Sequence, residues 1–147
     1  MNIINMMQIL REPFYLRLLR QYPNNIAHDN YKYRSVLREN FLVSRGLREE
    51  VDSHHIIPKQ FKQHRTILNE NFDINRSYNL VYLPNRKSSK EFPLLIHEGG
   101  HRKYNLYVLH YLNEIKQLDN FEEKRYQFWL FFKHLERGIN EKSIPWN

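Results

Sequence analysis

The chain has 147 residues, room for one hydrophobic core of ordinary size and not for two, so a single domain over residues 1–147 is expected. Hydrophobic residues make up 41% and aromatics 14%, which excludes a disordered chain, while the absence of cysteine excludes disulfides, iron–sulfur clusters, thiolate zinc sites and a cysteine nucleophile. With 23 Lys and Arg against 16 Asp and Glu, the net charge of +7 favours polyanionic partners, nucleic acid foremost, and any metal must rest on His, Asp or Glu.

Residues 4–22 predict an amphipathic helix, with Met7, Leu10, Phe14, Leu18 and Leu19 at helical spacing, Pro13 as a kink and Pro23 as the stop. Residues 26–45 predict a second helix that carries Tyr31, Tyr33, Val36, Leu37 and Phe41 and closes at Gly46; the Arg residues of both helices read as a solvated face. Residues 51–57 and 79–83 are short, β-branched runs that each end at a proline and predict two strands. The polar connection KQFKQHRTILNENFDINRSY between them is expected to hold a helical turn. A helix from His101 or slightly earlier to Leu118 carries Leu106, Val108, Leu109, Leu112 and Ile115. A last helix from Phe121 to about Arg137 carries Tyr126, Trp129, Leu130, Phe131 and Phe132, reads as core, and stops at Gly138. The resulting division is an N-terminal helical region (1–48), a central two-strand-and-helix unit (50–118) and a C-terminal helix (120–147). No apolar run approaches the roughly 20 residues of a spanning helix. The start MNIINMMQIL lacks the basic flank and cleavage site of a secretory signal, so a cytoplasmic location and no membrane partner are expected.

Of eight histidines, four fall in two groups, His54 with His55 and His97 with His101. Positions i and i+4 of a helix stand one turn apart on one face, so His97 and His101 can offer two imidazoles to one ion. Two of the chain's four glycines, Gly99 and Gly100, lie between them and suggest a helix N-terminus that something bulky, such as a phosphate, approaches closely. A turn at that place would instead splay the two rings and abolish the site. His54 and His55 are strand neighbours that point to opposite faces, so both serve one site only by dividing roles, one binding metal and the other acting as general base.

With DSHHIIPKQF, NFDINRSYNLVYLP and HEGGHRKYNLYV in that order, residues 52–104 resemble the HNH/endonuclease VII superfamily of ββα-metal (His-Me finger) nucleases, in its toxin-type AHH or SHH branch. The resemblance implies an α+β fold, a ββα-metal core flanked by N- and C-terminal helices. It implies a metal-dependent endonuclease, acting on DNA rather than RNA. It makes His54, His97 and His101 ligands of one divalent ion (Zn, Ni, Mn or Mg) and His55 the base that deprotonates the attacking water. Asn79 becomes the residue that holds the base imidazole by a hydrogen bond, with Asn85 its rival. Asp52, two residues before the first His, stands where related nucleases carry a carboxylate that orients a ligand. Lys59, Lys62, Arg65, Arg86, Lys87, Lys90 and, foremost, Arg76, Arg102 and Lys103 become candidate phosphate contacts. The toxin-type branch also implies an effector delivered into a target cell and neutralised by a cognate immunity protein in the producer.

Two other readings compete. HEGGH is literally H-E-x-x-H, the signature of zinc metalloproteases, with His97 and His101 as ligands and Glu98 as base; it needs an intact helix across Gly99 and Gly100. The second is a non-catalytic, basic nucleic-acid-binding domain with a structural metal.

Overall fold

In a computed structural model of the chain, residues 32–44, 46–87, 96–97 and 100–147 are described. The helix expected over 4–22, the beginning of the one expected over 26–45, Lys90, Glu98 and Gly99 lie outside these residues. The elements are helix α1 (Val36–Ser44), strand β1 (Val51–His55), helix α2 (Arg65–Asn69), strand β2 (Leu80–Pro84), helix α3 (Arg102–Lys116) and helix α4 (Phe121–Glu141). The class is α+β: a two-stranded antiparallel sheet followed by a helix, with further helices on either side.

Helix α1 begins later than its apolar pattern suggests. Residues 32–35 form a turn with Arg34 at φ 59, and the Ser35 hydroxyl caps the helix by accepting from the Arg38 amide at 3.2 Å. Gly46, at φ +66, ends it as expected, and the Leu47 amide returns to the Leu42 carbonyl. Phe41 and Leu42 form the inward stripe, packed with Leu47, Val51 and Tyr82, whereas Val36 and Leu37 face solvent. Arg38 is not solvated as its class suggests. It shares the inward stripe, donates from Nε to the Ser53 hydroxyl at 3.0 Å and stacks over the Tyr82 ring.

Strand register pairs Val51 with Pro84, Ser53 with Tyr82 and His55 with Leu80 on one face, and Asp52 with Leu83 and His54 with Val81 on the other. The first face meets α1; the second meets the main core. Both strands are one or two residues offset from expectation, because Ile56 already turns to bond the Asn79 carbonyl and Asn79 closes a 3-10 turn (Ser77–Asn79).

The connection from β1 to β2 carries a 3-10 turn (Lys59–Phe61) and α2, and it buries Phe61, Ile67, Phe72 and Ile74. His64 caps α2 through Nδ1, which accepts from the Thr66 amide, while its Nε2 donates to Asn113 of α3 at 2.8 Å. Asn79, fully buried, ties the two ends of the connection together. Its amide nitrogen donates to the Ile57 and Ile74 carbonyls at 3.0 and 2.8 Å, and its oxygen accepts from the Ile57 amide at 2.7 Å. Asn79→Ala would strand three buried backbone groups, each costing about 1–3 kcal/mol. The expected result is a loss of about 3 kcal/mol or more in urea unfolding; an unchanged midpoint would remove this bracing role.

Tyr104, Val108, Leu112 and Ile115 recur every three or four residues along α3 and pack with Phe128, Trp129, Phe132, Leu135 and Ile139 of α4. The aromatic run of α4 is core as expected, except that helical rotation turns Tyr126 and Leu130 outward, as it does Leu106 on α3. Helix α4 does not stop at Gly138. It continues to Glu141 and ends at Lys142 in the left-handed region, φ 58. Gly138 serves a close approach instead: a Cβ there would stand 2.9 Å from Cδ1 of Ile144, which folds back across the helix. No helix among the described residues is long and apolar enough to cross a membrane.

Candidate active site

His54 leaves β1 on the core face and is 1% exposed; His97 and His101 meet it there. The ring centroids lie 5.4 Å (His54–His97), 4.8 Å (His54–His101) and 5.2 Å (His97–His101) apart, and one ligand atom from each can be chosen so that all three lie within 4.8 Å of one another. These three are the residues expected as ligands, but the pair does not ride on a helix. His97 lies in an extended segment bridged in parallel to Asn85, its amide bonded to the Pro84 carbonyl at 2.7 Å, and His101 is the N-cap of α3. Gly100, at φ +57, separates them. The two rings converge without a shared helix turn, because β2 guides one and the helix start holds the other. The same backbone removes the helical H-E-x-x-H reading, since α3 begins only at Arg102.

Two of the three rings are oriented from behind. Nδ1 of His97 donates to Oδ2 of Asp52 at 3.1 Å, the carboxylate being an acceptor only. Asp52 stands two residues before His54 on the same strand face, as the period of two requires. Nδ1 of His101 donates to the Asn105 amide oxygen at 3.3 Å, one helical turn on. Both contacts leave Nε2 with its lone pair, and the two Nε2 atoms face each other at 3.3 Å. Two lone pairs at that distance need a proton or a cation between them. Burial first, and then the charge of His97, lowers the pKa of His101, which disfavours the proton. Tetrahedral Zn–N bonds of about 2.0–2.1 Å would put ligand nitrogens about 3.3 Å apart, the separation found for this pair. His54 Nε2 adds a buried polar atom with no partner among the described residues. These three histidines could hold a metal ion.

His55 projects from the other face of β1, half-buried, its ring edge-on to Tyr33 at 4.5 Å. Its hydrogen-bond partner is not Asn79, which spends its amide on backbone, but Asn75: Nε2 donates to the Asn75 side-chain oxygen at 3.0 Å, leaving the Nδ1 lone pair. Asn75 is fixed in turn, its amide bonded to Asp73 Oδ1 and its carbonyl to the Tyr33 amide. Sequence reasoning passed over Asn75; the signal available was the D-I-N turn before the second strand, where Asx side chains organise backbone. Asn85, the rival to Asn79, sits beside the histidine cluster, donating weakly to Asp52 Oδ1 at 3.4 Å and to the Glu49 carbonyl.

Burial, opposed by the Asn75 hydrogen bond and reinforced by the charges of Lys59 and Arg38, lowers the pKa of His55. Burial, then the neighbouring histidines, lowers that of His54 well below 6.5. Well above 6.5 these groups are neutral folded and unfolded, and contribute nothing to the pH dependence. As pH falls below 6.5 the unfolded chain takes up protons that the folded chain refuses, so stability falls, with a slope approaching about 1.4 kcal/mol per pH unit for His54 alone. Metal-stripped protein is therefore expected to lose stability steadily from pH 7 to 5 in chemical unfolding; a flat profile would contradict these environments.

Among the candidate phosphate contacts, Arg102 and Lys103 are exposed in the first turn of α3 beside His101, and Arg76, next to Asn75, is exposed and paired with Asp73 at 3.3 Å. Lys59, Lys62, Arg65, Arg86 and Lys87 are also exposed.

Over residues 40–129, more than half of its length, the chain matches the model of AHH, described as a nuclease family of the HNH/ENDO VII superfamily with conserved AHH. The chain belongs to this family and is a nuclease of that superfamily, with Ser53 in place of the Ala of the family's triplet. No curated protein and no solved structure matches the chain.

Proposed function

We propose that this chain is a metal-dependent endonuclease that hydrolyses phosphodiester bonds in DNA, with His55 as general base and His54, His97 and His101 holding one divalent ion. One observation carries the reading: adjacent histidines on β1 face opposite sides, one entering a cluster of three imidazoles and the other standing apart, bonded through Nε2 to Asn75 and with its pKa lowered by burial. His55 Nδ1 takes the proton of the attacking water, and Asn75 keeps the ring in the tautomer and orientation that do so. When bound, the ion would supply positive charge to the phosphate and to the departing 3′ oxygen. Asp52 and Asn105 fix the rings that hold it, and an all-imidazole set favours Zn, Ni, Co or Mn over Mg by ligand softness. Arg102, Lys103 and Arg76 hold the flanking phosphates without reading sequence. Asn79 supports the base indirectly, by bracing the loop that carries Asn75. The module (1–147, with its core over 50–118) acts as a toxin-type effector, cytoplasmic or delivered into a target cell, and meets a cognate immunity protein in the producing cell. Support for that role is the resemblance to the toxin-type branch.

The test is incubation of the purified chain with supercoiled plasmid and with single-stranded RNA, with added Zn, Ni, Mn or Mg and with chelator. Metal-dependent nicking that chelator abolishes is the expected result. Cleavage indifferent to chelator would overturn the metal mechanism, and cleavage confined to RNA would overturn the substrate.

A further inference from the structure

After α4 the chain reverses at Lys142, crosses Gly138 at Ile144 and brings Trp146 against the histidine cluster. The indole lies 4.9 Å from the His54 ring and 4.9 Å from the His101 ring, tilted 34° to the latter, with Tyr104 at 5.2 Å. Its Nε1–H donates to the Ile96 carbonyl at 2.9 Å, the residue before His97, and its own carbonyl accepts from the Tyr104 amide in the first turn of α3. One side chain thus touches a strand-borne ring, a ring at the start of α3 and the backbone leading to the third. The three histidines come from three separate segments: among the described residues His97 is held by its bonds to Pro84 and Asp52, and His101 by its own helix turn.

We infer that Trp146 is a positioning residue of the metal centre, closing one flank of the cluster and holding His97 and His101 at ligand separation before metal arrives. The inference rests on the metal reading proposed above. Rings already converged lose little freedom on binding, so the clamp acts on metal affinity, in the manner of groups that orient ligands from behind. Its indole also places one of the chain's two tryptophans, the other being Trp129, in contact with two of the three rings.

The experiment uses the full chain and Ni²⁺ as probe, with affinity measured by calorimetry for the unaltered chain, Trp146→Phe and Trp146→Ala, and with apo folding checked by thermal unfolding. Trp146→Phe keeps ring packing and loses the bond to Ile96; Trp146→Ala loses both. Affinity is expected to fall about 10-fold to 100-fold in Trp146→Ala, with Trp146→Phe between it and the unaltered chain. In a Trp129→Phe background, Ni²⁺ is expected to quench the remaining Trp146 emission with the stoichiometry seen by heat. Unchanged affinity in folded Trp146→Phe and Trp146→Ala, or heat of binding without any change in Trp146 emission, would overturn this inference alone. Absence of Ni²⁺ binding by the unaltered chain would overturn the metal reading and this inference together.

Discussion

Replacing His55 by alanine is expected to lower plasmid cleavage by about a hundredfold to ten-thousandfold, the usual loss when a general base is removed, while leaving metal affinity nearly intact. The two effects separate because His55 projects away from the face that carries His54, and its only polar side-chain partner among the described residues is Asn75. Asn75→Ala is expected to produce a smaller loss, about tenfold, since the base remains, packed on Tyr33, but no bond then selects its tautomer and it presents the wrong nitrogen for part of the time. Glu98→Gln, by contrast, should cost little, because no helix spans the H-E-x-x-H residues to make Glu98 the base of a zinc protease. The measurement is nicking rate for the three variants beside the parent, with metal content determined first. A metal-loaded, folded His55→Ala that cleaves at the parent rate would sink the mechanism.

Strand periodicity made part of this site readable in advance. Asp52 and His54 share a face because they are two residues apart, and His55 opposes them because it is one further on; none of that required tertiary information. The helical reading of His97 and His101 failed for a local reason. Spacing of four is shared by a helix turn and by many loops, and Gly100 in the left-handed region breaks any helix there, so the rings converge through β2 pairing and the start of α3 instead. Asn79 was assigned to the wrong partner because a buried amide at a strand start has backbone within reach on both sides, and two carbonyls and an amide claim it before any imidazole. Asn75 and Trp146 could not be found from spacing at all. One sits 20 residues from the ring it holds, and the other, 45 residues beyond His101, is brought back only by the reversal at Lys142.

His54→Leu is expected to move stability and metal binding in opposite directions. The imidazole is buried, its Nε2 has no partner among the described residues, and burial lowers its pKa, so in metal-free protein it carries a desolvation cost with no compensating bond at that atom. A leucine of similar volume removes that cost and keeps contact with Val81, Tyr104 and Trp146 around it. The metal-free variant should therefore melt at or above the parent temperature. In the parent, ion at about 100 times its Kd stabilises the folded state by about 2.7 kcal/mol, worth roughly 5–10 °C for a chain of this size. His54→Leu loses a ligand outright and should show no such increment and no cleavage. Asp52→Asn, which weakens the hold on His97 without removing a ligand, should keep part of it, with affinity down about 10-fold to 100-fold. Thermal unfolding of the three proteins with and without Zn²⁺ gives all these values in one series. A metal-dependent rise in His54→Leu equal to that of the parent would show that the ion, if bound, sits elsewhere; a large drop in the metal-free variant would show that His54 is held by the core for packing and not for coordination.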